Sequence, residues 1–143
     1  MTILPQQKTP EWLRAISIHA PHAYAIVIGI KKEEYRSKPT KYRGWALIHS
    51  SGSKASDDAF QDYFINPDQI GVKRFALIGA AEILDCYGEP GDYAYQIGRA
   101  IAFPTPIEGI KGQQSIFWGT SDKYPEREGA FNQAWVMIQA RLK

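Results

Sequence analysis

The feature that most constrains the fold is one long stretch. "RFALIGAAEILDCY" (74–87) is followed at once by "GEPGD" and then by "YAYQIGRAIAF". The first run is almost continuously apolar, as in a strand covered on both faces. "GEPGD" concentrates turn-forming residues, and the third piece alternates apolar and polar positions. Together they read as a long antiparallel hairpin. A chain of 143 residues built round such a hairpin has room for one sheet-based core.

The rest of the chain supplies partners for that hairpin. "LRAISIH" predicts a strand over 13–18, and "EEYRS" a short one that Pro39 ends, because proline lacks a ladder donor. "WALIH" predicts a buried strand and "QSIFWG" a last one. Pro21 suits a helix start, and Tyr24, Val27 and Ile28 share one face, so a helix spans about 21–28 with Gly29 as its left-handed stop. Ser56, Asp57 and Asp58 read as the start of a second helix over 56–65. Pro125 opens a third, on which Phe131, Trp135, Ile138 and Leu142 form a stripe that either packs or docks a partner. Residues 1–12 are expected to be a flexible arm, 13–119 one domain, and 120–143 the terminal helix. About six strands and three helices make an α+β protein: a small, mostly antiparallel barrel with flanking helices.

The charge is unevenly placed. The net charge is +2, yet Lys31 to Arg43 holds six basic residues and two acids, a local +4. Such a cluster is the footprint expected for an anionic ligand. A single cysteine, Cys86, excludes an internal disulfide, and "MTILPQQKTPEW" lacks a signal-peptide apolar core. The apolar runs are too short to span a bilayer, so a cytoplasmic protein with no membrane partner is expected. No Walker loop, Rossmann fingerprint, zinc-ligand set or nucleophile elbow is present, and no cofactor is expected. His19 and His22 have ligand-like spacing but no third ligand, so no metal site is expected either.

Within the basic window, "GIKKEEYR" fits Gly-x-Lys-x-x-Glu-x-Arg at Gly29, Lys31, Glu34 and Arg36. In a strand Glu34 and Arg36 share a face, so an ion pair between them would fix the guanidinium and leave donors free. Lys31 follows the helix stop and places a compact charge beside them. Tyr42 and Trp45 are aromatic candidates for stacking a base, with Arg43 between them, and His22 opens the helix that leads into the motif. A solvated charged turn is the plainer reading of the same residues. Glu82, inside an apolar run, either pairs with a motif cation or lies at a wet strand end. Cys86 reads as a small core residue.

The motif, together with "ISIHAPHAYAIVIGIK", "YRGWALIHSS" and the hairpin segments in order, resembles the ASCH domain of the PUA-like superfamily over about 13–119. The resemblance implies a PUA-like barrel with a cleft at the motif and an RNA-binding role. Some members resemble single-strand ribonucleases. Others are amidohydrolases of acetylated cytidine, which carry Thr where this chain has Glu34, and that departure argues against their chemistry here. The expected function is binding of single-stranded RNA or a nucleotide-like ligand by Lys31, Glu34, Arg36, Tyr42, Arg43, Trp45 and His22. The alternative is a metal-independent hydrolase of RNA or modified nucleosides. In it Lys31 stabilises negative charge, Glu34 is the general base and Tyr42 a donor.

Overall fold

The computed structural model describes residues 8–142. Residues 1–7 of the expected arm lie outside that range. The described part of the arm leans on the terminal helix: the Thr9 hydroxyl bonds Asn132 Oδ1 at 2.6 Å, and Trp12 meets Trp135 edge-on.

Six strands form one curled sheet, a half-barrel. In chain order they are β1 (Ala15–Ile18), β2 (Glu33–Arg36), β3 (Gly44–Ser50), β4 (Ala76–Glu89), β5 (Asp92–Ile107) and β6 (Phe117–Trp118). Their spatial order is β2-β5-β4-β3-β1-β6. The long hairpin is β4–β5, its register broken by bulges near Leu77, Ile83 and Asp85, which let the long strands bend. One pairing departs from the antiparallel expectation: β1 and β3 run parallel, with Ala15 opposite Leu47. The chain between them carries the first helix across the sheet, as a parallel connection requires.

Helices cover both faces. α1 (Ala20–Val27) packs on one, and α4 (Glu126–Leu142) on the other with Leu13, Leu47, Leu77 and Phe103. α1 ends as its sequence predicts. Gly29 takes φ +88°, its N–H reaches Ile26 O, and the Ile30 N–H reaches back to Ala25 O. That pattern is a Schellman stop, and the Lys31 N–H also reaches back to Ala25 O. On α4 the buried face is Arg127, Ala130, Phe131, Ala134 and Ile138, while Leu142 is exposed. Of the expected stripe, Phe131 and Ile138 pack on the sheet, while Trp135 is only partly buried.

The helix expected over 56–65 shrinks to α2 (Ala59–Asp62), and a short α3 (Pro67–Ile70) follows. Ser56 does not cap a helix, because its hydroxyl bonds His19 Nδ1 at 2.7 Å. Asp57 is likewise engaged, by Arg74 at 2.8 Å. Glu82 sits part-buried within the interior strand β4 and pairs with Arg99 at 2.7 Å, not with a motif cation. Cys86 is half-buried against the α1-side core.

Candidate ligand-binding cleft

The motif strand β2 is an edge of the sheet, and the curl brings it near the end of β1. β6 covers β1 only at Ala15 and Ile16. Beyond that pairing the Ser17 carbonyl accepts a 2.9 Å hydrogen bond from Arg36 Nη2. A side chain thus spans the gap in the barrel. The same guanidinium donates through Nε to Glu34 Oε2 at 2.8 Å. Two of its three nitrogens are thereby fixed, and Nη1 has no partner among the described residues. Glu34 is 7% exposed; a carboxylate so buried requires such a partner.

A cavity of about 350 Å³ opens here, lined by residues of β1, the start of α1, and β2. Lys31, Glu34, Arg36 and His22 all line it, so four of the seven expected site residues come together. The Lys31 ammonium lies 4.6 Å from the centre of the Tyr35 ring. Burial lowers the Lys31 pKa, and Glu34 and Glu33 oppose that shift. The His22 pKa is also lowered, first by burial and then by Lys31, with Glu34 acting the other way. His22 is therefore neutral near pH 7. Its Nδ1 is 2.6 Å from the Tyr63 hydroxyl, and burial raises the Tyr63 pKa, which keeps that proton in place. A Tyr63 proton donated to Nδ1 leaves the imidazole hydrogen on Nε2.

Three expected site residues lie elsewhere. Tyr42 stacks on Phe117, with ring centres 4.5 Å apart. Its hydroxyl donates to Trp45 O at 2.6 Å and accepts from Arg14 N–H at 3.2 Å. Burial pushes its pKa up to about 12, so neither its ring nor its hydroxyl is offered to a ligand. Trp45 is buried in the α4-side core. Arg43 bonds the carbonyls of Thr40 and Tyr42 and pairs with Asp85 at 3.5 Å. The physical reason is strand parity and the turn at Gly44: the Tyr42–Trp45 segment enters the sheet centre, not its edge.

The cavity also has walls that sequence reasoning missed: Ser17, His19 and Tyr35. Ser17 belongs to a second, buried network. Trp118 Nε1 donates to Ser17 Oγ at 3.0 Å, Ser17 Oγ meets His49 Nδ1 at 2.9 Å, and His49 Nε2 meets Ile110 O at 2.6 Å. Indole only donates and a carbonyl only accepts. Burial lowers the His49 pKa, so near pH 7 the ring is neutral, with its hydrogen on Nε2 and Ser17 donating to Nδ1. No signal in the sequence joins residues so far apart. Among the described residues no cluster of His, Cys, Asp or Glu is arranged to hold a metal ion. No helix among them is long and apolar enough to cross a membrane.

The family model described as the ASCH domain matches residues 16–130. The chain belongs to the ASCH domain family. Solved structures agree with the fold of this ASCH domain. The crystal structure of ASCH from Zymomonas mobilis superposes with a TM-score of 0.52 at 14% identity, covering 80% of this chain and 92% of that one. A serine-to-alanine mutant of the same organism's protein gives a TM-score of 0.52 at 11% identity, over 91% of this chain and 95% of that one. No curated protein matches the sequence.

Proposed function

We propose that this ASCH domain binds single-stranded RNA or a nucleotide-like ligand in the cleft of Lys31, Glu34, Arg36 and His22. The observation that carries this is the mounting of Arg36. Glu34 and the Ser17 carbonyl hold the guanidinium rigidly and leave Nη1 free, with the Lys31 ammonium on the same cavity wall. A pre-oriented guanidinium and a compact ammonium suit a phosphate or the acceptor edge of a base. The family's general role supports the same reading.

Short labelled single strands should bind at low salt and weaken as salt rises. Two phosphate contacts give a slope of about −1.4 in log affinity against log salt. Lys31→Ala should weaken binding and flatten that slope by roughly one contact's share, about 0.7. Folded protein that shows no binding at low ionic strength would sink the proposal.

A second reading keeps the cleft and adds turnover. It is favoured by the lowered pKa of Lys31 beside the buried Glu34. Lys31 would stabilise developing negative charge and Glu34 would act as general base. Tyr42 drops out of that scheme because its hydroxyl is committed to Trp45 O. Incubation with labelled RNA and with modified nucleosides separates the readings: turnover abolished in both Lys31→Ala and Glu34→Gln supports the hydrolase, and turnover in both variants unchanged from the unsubstituted protein rules out this site.

A further inference from the structure

The cleft does not end at β2. Tyr35 lies on its rim, under the Lys31 ammonium, and also faces the outer side of the sheet, opposite in parity to Glu34 and Arg36. Across the sheet Tyr35 is in register with Ala94 of β5, and Ala94 is in register with Tyr87 of β4. Two tyrosines thus flank a small residue on one outer row, about 10 Å apart at strand spacing. Tyr35 is 59% and Tyr87 52% exposed. Each ring is tethered by its hydroxyl, Tyr35 to Glu33 Oε1 at 3.1 Å and Tyr87 to Gln96 Oε1 at 2.6 Å. The Tyr35 tether runs along β2 and the Tyr87 tether crosses to β5, and both rings stay half-exposed to solvent.

We propose that this outer row is a second subsite that stacks the bases of a single-stranded RNA whose adjoining nucleotide occupies the cleft. The inference rests on the ligand reading above and sharpens it from a nucleotide-like molecule to a strand. The neighbouring row, Glu33, Gln96 and Asp85, carries two carboxylates. Asp85 is engaged by Arg43 at 3.5 Å, and the Glu33 carboxylate repels phosphate, so the strand lays bases here and keeps its backbone towards Lys31. Carboxylates also accept from the exocyclic amino groups of bases. Stacking on aromatic rings suits splayed single strands and not a duplex.

The test uses the full chain, a labelled adenine hexanucleotide and unlabelled AMP as competitor. Tyr87 is exposed and is not among the residues that line the cavity, so Tyr87→Leu leaves the cleft intact. It should weaken the hexanucleotide about fivefold or more and leave AMP binding unchanged, while Tyr87→Phe should keep most of the affinity. Lys31→Ala should weaken both probes. Hexanucleotide binding that Lys31→Ala reduces and Tyr87→Leu does not overturns the subsite while leaving the cleft reading intact. Dependence on Tyr87 without dependence on Lys31 overturns the cleft reading, and with it the subsite as an extension of the cleft. No binding of either probe overturns both. Tyrosine-dependent binding of an oligosaccharide in place of RNA overturns the RNA assignment.

Discussion

Arg36 has two duties at one guanidinium, and a lysine cannot perform both. Its Nε serves Glu34 and its Nη2 serves the Ser17 carbonyl, a fork that one ammonium does not reproduce. Arg36→Lys should therefore lower unfolding free energy by roughly 1–2 kcal/mol in urea titration and weaken ligand binding as well. His49 makes a second residue-scale prediction. It is 1% exposed, and burial lowers its pKa, with the Ile110 carbonyl opposing and Arg127 reinforcing the shift. A histidine held neutral in the fold binds its proton more readily when unfolded. Stability is thus complete above about pH 6.5 and declines below it, by up to about 1.4 kcal/mol per pH unit, until the folded-state pKa is passed. His22 acts in the same direction. Urea unfolding at pH 8, 6 and 5 checks this, and His49→Gln should show a shallower decline. The shared face of Glu34 and Arg36 was legible because strand parity is a local rule. The fates of Tyr42 and Trp45 were not, because stacking on Phe117 and burial in the α4-side core depend on partners distant in sequence.

Elements divide along the same line. Gly29 announces the end of α1, since a helix stop needs only a few adjacent residues. Ser56-Asp57-Asp58 looks like an equally good start, yet His19 and Arg74 take the side chains that would have capped it. The short α2 then stops at Phe64, which adopts φ +57° and is 98% exposed. An L-residue with a bulky side chain is strained there, and the ring gains no burial in return. Phe64→Asn should stabilise the protein by about 1 kcal/mol in urea titration, because asparagine tolerates the left-handed region. The terminal helix has the opposite character. Arg127 is fully buried, between the rings of Trp118 and Tyr124. It bonds Gln113 Oε1 at 2.5 Å and the Lys111 carbonyl at 2.9 Å. Arg127→Met leaves those acceptors unsatisfied and should cost at least about 3 kcal/mol, read as a lower urea midpoint.

For the whole molecule, the hairpin 74–103 dictated most of the architecture, and the α+β half-barrel follows from giving both its faces cover. The parallel pairing of β1 with β3 was hidden, since neither strand's pattern reveals its partner's direction. The curl that brings β2 to β1 was hidden too, because bulges in β4–β5 set it and single-strand periodicity does not register them. That curl leaves a seam which backbone ladders do not close and a single guanidinium does. The seam behaves as a latch whose bolt is exposed to the cleft. A ligand that engages Arg36 draws the bolt tighter, and a change at Arg36 lets the two sheet margins part. Occupancy of the cleft should accordingly be felt as stiffness: amide hydrogen exchange at 15–18 and 33–36 slows with ligand bound, while the 76–89 strand, held by neighbours on both sides, keeps its own pace.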